Sequence, residues 1–305
     1  MPRPDGFTRY DAGLLLVALI WGANFSAIKY ALAEVPPLAF SAVRFVLASV
    51  LFWVVVRLLE PRSRVPAKDL RFLIGLGVVG NTGYQVAFMI GLDRTSATNS
   101  SLIMASMPVM VALLATATGI ERLGRRLWIG MVLAVAGVVL VIATGSASLA
   151  GADRIGDLLV LVACACWAIF TVGLRRVDRG VSPLRVTEIT TYAGTPGLLL
   201  IGWPELRQVR WDQLGAGTWF GLLYSGILAI GVAYLLWNAA VKHIGGSRTA
   251  IYNSVIPVVA LAVAWLALGE QPGPGQGVGA ALVIAGVLYS RFRPAARSPL
   301  PVVPE

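Results

Sequence analysis

Apolar residues gather in ten long stretches, approximately 12–31, 37–56, 72–92, 95–119, 127–147, 156–174, 184–203, 213–241, 249–269 and 273–290, divided by short polar connections. Few or no Asp, Glu, Lys and Arg interrupt them. Crossing ~30 Å of hydrocarbon takes about 20 largely apolar residues, so each stretch is long enough to span a bilayer. Lipid offers no partner to free backbone groups, and the strict alternation of a barrel strand is missing, so the spans are expected to be helices. The pattern predicts an all-α membrane protein with ten transmembrane helices.

Two stretches break the apolar rhythm in the same way. ATNSSLIMASMPVMVALL, residues 97–114, carries Asn99, Ser100 and Ser101 and then Pro108, and GSRTAIYNSVIPVVALAV, residues 246–263, repeats the layout with Pro257 standing 149 residues later. A proline inside a helix removes a backbone hydrogen bond and frees a carbonyl. In a membrane that group must face protein or cavity water, so both prolines are expected to bend their helices toward an interior, as static bends or as hinges.

The repetition extends along the whole chain. Trp21 pairs with Trp167 and Pro37 with Pro183 at an offset of 146, while Pro108 pairs with Pro257, Glu121 with Glu270, Gly130 with Gly279 and Gly137 with Gly286 at 149. The expected organisation is a first five-helix repeat over 1–148, a second over 149–292, and a Pro-rich cytoplasmic tail, 293–305, without order. Five spans per half is an odd number, so the halves are expected to lie inverted in the membrane. Inverted repeats place a binding site at their interface near the midplane and suit alternating access, although a duplication that only builds a stable bundle would leave the same trace.

Composition agrees with the membrane reading. The hydrophobic fraction is 57% and the charged fraction 13%, with a mean hydropathy of +0.77. The net charge of +10 changes meaning once the basic residues are sorted by side. Arg57, Arg62, Arg64, Lys68 and Arg71 fall on the side of the N-terminus, as do Arg122, Arg125, Arg126, Arg175, Arg176, Arg179 and Arg185. The excess places both termini in the cytoplasm and reads as a topology signal, not as a nucleic-acid patch. Ala31-Leu32-Ala33 resembles a signal-peptide cleavage site, but the apolar run before it is long and the repeat needs it, so the first span is expected to be retained. Cys164 and Cys166, two apart on one helix, suit neither a disulfide nor a zinc site.

LALIWGANFSAIKYAL with AFSAVRFVLA, then MASMPVMVALL followed by Glu121, and SVIPVVALAVAWLALGE followed by ALVIAGVLY, resemble the EamA family of the drug/metabolite transporter superfamily. The resemblance covers nearly the whole chain. One departure is Gly119-Ile120-Glu121, where the family pattern has Gly directly before Glu, as in Gly269-Glu270. The resemblance implies a multi-pass protein of the bacterial inner membrane. Within the superfamily, the length, spans and aromatic-rich interior are most similar to the bacterial aromatic amino-acid exporters.

Several mid-span faces could form the site. Trp21, Asn24 and Phe25 share one face of the first span, and Trp167, Phe170 and Thr171 repeat the spacing on the sixth. Tyr234, Trp237 and Asn238 lie on the eighth, and Tyr84, Gln85 and Phe88 on the third. Asn99, Ser100 and Met104 precede Pro108, and Tyr252 and Asn253 precede Pro257. Each group also has a plain reading as packing or as interhelical hydrogen bonding. Taken as a pocket, aromatic faces with a few amides and hydroxyls suit an amphiphilic small molecule such as an aromatic amino acid. Trp53, Trp203, Trp211 and Trp219 are assigned instead to the interfacial belt.

Ionisable residues within or at the edge of spans are functional candidates by default. Lys29 and Arg44 lie toward the outer side near Glu34 and are expected to pair with it, snorkel or cap helix ends, with capture of a substrate carboxylate as the alternative. Glu188 has Arg185 one turn earlier as a local partner. Proton coupling would have to lean on Glu188 or His243, so facilitated transport is expected, by a monomer, with no cofactor, no bound metal and no P-loop. Export of other metabolites or lipophilic drugs, with or without proton coupling, is the alternative within transport, and a lipid scramblase or membrane scaffold the one outside it. No nucleophile with a paired base marks an enzyme.

Overall fold

In the computed structural model, residues 8–60, 65–119, 125–145, 154–174, 176–177, 180–244, 252 and 255–291 are described. Among them every regular element is helical. Asn253, Glu121 and the tail 293–305 lie outside the described residues, and Pro108, Asn238 and His243 are placed by their backbone only.

Each of the ten apolar stretches falls mainly on helix over its described residues. They are α1 (Arg9–Ala31), α2 (Pro37–Leu59), α3 (Ala67–Gly77) with α4 (Tyr84–Arg94), α5 (Ala97–Met104) with α6 (Met107–Ala117), and α7 (Arg125–Gly145). Then come α8 (Arg154–Leu174), α9 (Pro183–Leu206), α10 (Ala216–Leu223) with α11 (Ala233–Ile244), α12 (Ile256–Leu268) and α13 (Pro274–Arg291). Five continuous helical runs, 9–31, 37–59, 67–94, 154–174 and 216–237, are long and apolar enough to cross a membrane. Leu58, Leu200 and Leu266 are each at least 75% exposed, whereas Ser41, Ser100, Thr190 and Ser225 are buried. A bundle with apolar side chains outside and hydroxyls inside matches lipid as the surrounding solvent.

Glycines bring the helices together. A Cβ on Gly137 of α7 would stand 2.6 Å from the Gly279 carbonyl oxygen of α13, and one on Gly22 of α1 would stand 2.6 Å from Val259 Cβ of α12. Small residues at such crossings let backbones approach where no water-driven force holds helices together.

Helix starts are satisfied by carboxylates from distant segments. Glu205 accepts from the Leu38 and Ala39 N–H groups of α2 at 2.7 and 3.0 Å, and Glu270 accepts from Ala97 and Thr98 of α5 at 2.9 and 3.0 Å. Glu34 accepts from Gly215, just before α10, at 2.8 Å. Each anion meets orphan donors and the positive end of a helix dipole. The same end holds Lys29, whose ammonium donates to the Leu92 and Asp93 carbonyls at 2.9 and 2.6 Å and so caps α4. The opposite end starts with a capping box, in which Asp11 accepts from the Thr8 N–H at 2.7 Å.

Both prolines sit differently from the bent-helix expectation. The chain leaves α5 at Met104, turns through Ala105 and Ser106, and restarts with Pro108 in the first turn of α6. Pro257 likewise occupies the first turn of α12. A first-turn proline lacks only an N–H that has no intrahelical partner, so these residues begin helices instead of kinking continuous ones.

Two segments were not foreseen. Val78–Gly83 and Tyr224–Val232 wind as π-helix in the middle of the third and eighth apolar stretches. A π turn widens the helix and leaves backbone groups for other partners. The Ala229 carbonyl accepts from Trp21 Nε1 at 2.8 Å. Asn81 Nδ2 and Thr82 Oγ1 donate to the Thr190 and Gly194 carbonyls of α9 at 2.7 and 2.8 Å.

Candidate functional site

The aromatic faces named above meet. Trp21 lies edge-on to Tyr234 with ring centroids 5.8 Å apart and tilts against Trp237 at 5.3 Å. Tyr234 lies 6.4 Å from Trp167, which contacts Tyr84 at 5.2 Å and Phe170 at 5.2 Å. Tyr84 is parallel to Phe88 at 5.6 Å, and Phe88 meets Phe25 edge-on at 5.8 Å. The rings form one unbroken series drawn from α1, α4, α8 and α11, all within the range in which aromatic pairs attract.

Local chemistry explains the placement. The π turn before Tyr84 shifts the register in which α4 follows α3, and the π segment before α11 does the same for Tyr234. Gly80 has no side chain where Phe170 packs, since a Cβ there would lie 2.4 Å from the ring. Met104 joins through its sulfur, 3.9 Å from the Tyr84 hydroxyl. Two buried polar atoms have no partner among the described residues, Asn24 Oδ1 on α1, next in sequence to Phe25, and Ser100 Oγ on α5, one turn before Met104.

Other candidates stand elsewhere. Asn99 belongs to a polar network, accepting from Gln276 Nε2 at 2.6 Å beside Asp157, whose carboxylate accepts from Thr95 Oγ1 at 2.6 Å. The Tyr252 hydroxyl donates to Asp11 at 2.8 Å, at the Thr8 end of the bundle. Thr171 is half-buried on α8, one turn past Trp167, and Pro257 is buried at the start of α12. Trp53, Trp203 and Trp219 are largely exposed, as a belt requires, but Trp211 packs partly inside against Trp219 at 6.0 Å.

The charged candidates divide. Glu188 accepts from Arg185, as the spacing of one turn foretold, and Lys29 caps a helix end. Arg44 departs from expectation: it neither pairs with Glu34 nor snorkels, and at 2% exposure it is among the most buried large side chains. Its Nη1 donates to Ser225 Oγ at 2.7 Å and its Nη2 to Gln85 Oε1. Glu34 is committed to Gly215, which removes the expected counterion.

Sequence reasoning missed Ser225, Asp11, Asp157 and Gln276, all buried polar groups of the interior. For Ser225 the usable signal was the flanking glycine. A Cβ at Gly226 would lie 3.0 Å from the Arg44 carbonyl oxygen and 3.1 Å from Leu47 Cβ, so glycine lets that π segment approach α2 closely.

The model of the EamA-like transporter family matches residues 8–143 and again 154–292. The chain is 30% identical to a Bacillus subtilis protein named as an uncharacterized transporter, YyaM, over 90% of this chain and 91% of that one. It is also 30% identical to a Salmonella typhimurium protein named as a probable amino-acid metabolite efflux pump, over 96% of both. A probable terminal-alkyne amino-acid exporter of Streptantibioticus cattleyicolor is 28% identical over 92% of each chain. A solved crystal structure, 17% identical, superposes with a TM-score of 0.64 over 93% of this chain and 97% of its own, and so shares the fold.

Proposed function

The chain belongs to the EamA-like transporter family and is an integral, multi-pass membrane protein, and from that premise we propose that it exports small organic solutes, aromatic amino acids first among them, from the bacterial cell. The observation that carries the reading is the series of touching rings from Trp237 through Trp21, Tyr234, Trp167 and Tyr84 to Phe88 and Phe25, set in the bundle interior. Ring faces that already attract one another accept a further ring, and the buried Asn24 and Ser100 oxygens without partners offer hydrogen bonds to its polar end. Two relatives whose names refer to amino-acid export support the substrate class.

In this reading all ten helical stretches cross the bilayer, with both termini cytoplasmic and the halves 1–148 and 149–292 inverted about the interior. The turn at Ala105 and Ser106 before Pro108 serves as a hinge, with the helix start at Pro257 as its counterpart in the second half, since a helix that restarts at proline can tilt without losing hydrogen bonds. Transport is facilitated. Of the buried carboxylates, Asp11, Asp157 and Glu188 have resident partners near a helix end, Thr8, Thr95 and Arg185, and Asp69 lies in the first turn of α3.

The test is uptake of labelled phenylalanine or tryptophan into proteoliposomes, without and then with a proton gradient, beside empty vesicles and a Trp167→Ala variant. Saturable flux without a gradient that the variant loses is expected. Absence of flux under both conditions would overturn the aromatic assignment, and flux only with a gradient would overturn facilitation.

A further inference from the structure

Arg44 is a full positive charge enclosed in the bundle. Its hydrogen bonds go to neutral groups, Ser225 Oγ and Gln85 Oε1, and its buried Nε has no partner. Its guanidinium carbon lies 5.7 and 5.9 Å from the rings of Phe40 and Phe45. Among the described residues no carboxylate pairs with it, and the titratable groups near enough to act on it are the phenols of Tyr84 and Tyr234. Taking such a charge out of water costs several kcal/mol, roughly, and neutral hydrogen bonds and ring faces recover only part of that.

Those phenols give the charge its context. Tyr84 and Tyr234 both touch Trp167, and Gln85, which holds the guanidinium, follows Tyr84 directly on α4, while Ser225 lies on the π segment that leads into α11 and Tyr234, so the segments that hold Arg44 are those that carry the ring series. A planar fork with an unoccupied N–H suits a carboxylate, which can take two donors at once.

We infer that Arg44 is the anchor for the carboxylate of the transported solute, with Gln85 and Ser225 holding the guanidinium in position and the Trp167 cluster taking the side chain. This rests on the transport reading and narrows it to carboxylic acids. The bound anion supplies the counter-charge that the fold omits, so acids are selected over the matching amines.

The test is calorimetric titration of the full chain in nanodiscs with L-phenylalanine, L-leucine and the amines that lack the carboxyl group, phenethylamine and 3-methylbutylamine. Wild type is expected to prefer each acid, and Arg44→Gln to reduce that preference by about 10- to 100-fold, as expected for a hydrogen-bonded charge contact. Gln85→Glu guards against a merely structural explanation. It is nearly isosteric and gives Arg44 a fixed carboxylate, so it is expected to erase the acid preference while the melting temperature stays level or rises. An undiminished preference in Arg44→Gln or in Gln85→Glu would overturn the assignment, as would equal binding of acids and amines by wild type. Leucine bound as tightly as phenylalanine would leave Arg44 as the anchor and overturn the aromatic reading alone.

Discussion

Arg44 and Glu188 are both charges enclosed by apolar stretches, and the bundle holds them in opposite ways. Glu188 lies early in α9 and takes its counter-charge from Arg185 on the same helix, whose side chain is still 24% exposed. Arg44 is sealed among neutral groups contributed by two other segments. The first arrangement is complete in itself: a local ion pair at a helix end lowers the cost of burial and needs no ligand. The second is incomplete, and its missing component is an anion. Within a membrane bundle, the informative charge is therefore the one whose hydrogen bonds are made but whose charge is not balanced.

Ligand-dependent unfolding should separate the two sites most widely. L-phenylalanine at 100 times its wild-type Kd is expected to stabilise wild type by about 2.7 kcal/mol, to do the same for Glu188→Met, and to stabilise Arg44→Met by only about 0.4–1.4 kcal/mol. Thermal unfolding in nanodiscs with and without the amino acid checks this, and equal stabilisation of all three proteins would erase the contrast.

Without ligand the order reverses. Arg44→Met removes a desolvated charge, which offsets the hydrogen bonds that Gln85 and Ser225 lose, so its stability should stay within about 1 kcal/mol of wild type. Glu188→Met strands Arg185 and should cost roughly 1–3 kcal/mol. The melting temperatures of the empty proteins read the difference, and a large loss in Arg44→Met would make Arg44 a structural tie like Glu188.

A third kind of charge, the carboxylate on a helix start, sharpens the comparison further. Glu270→Gln keeps an acceptor but loses the charge that Ala97 and Thr98 donate to, and a loss of about 1 kcal/mol is expected. Unfolding of the empty protein measures it, and aromatic uptake should persist.

The smallest effect belongs to Glu34, where the donated Gly215 N–H holds the carboxyl below its ordinary value. A carboxyl depressed on folding contributes stability above its unfolded value and loses it as pH falls through the folded one. Wild type and Glu34→Gln should therefore differ slightly in melting temperature at neutral pH and converge well below 4.5. The group is exposed, so salt should shrink the difference.

Much of this was legible in the chain. Spacings of three and four residues grouped Trp21 with Phe25 and Trp167 with Phe170 on shared helix faces, and the rings did converge. The i–3 spacing also found the partner of Glu188. Asn99 shows where the method fails. Its neighbours Ser100 and Met104 pointed to a pocket face, yet its amide is bound by Gln276, 177 residues away, and helical periodicity carries no information about that distance. The π segments escaped for a related reason. Whether an N–H reaches four or five residues back depends on what competes for the freed carbonyl, and for Ala229 that competitor is Trp21, 208 residues distant.

The sequence by itself determined the class of this protein, because the hydrophobic effect acts residue by residue. Long apolar runs with few charges must lie in lipid, must be helical there, and repeat in an order that the family model matches twice. Only the tertiary structure decided what each charge is for. The balance of a buried charge is a sum over neighbours from remote segments, and for Arg44 that sum, made by Gln85 and Ser225, comes out uncompensated.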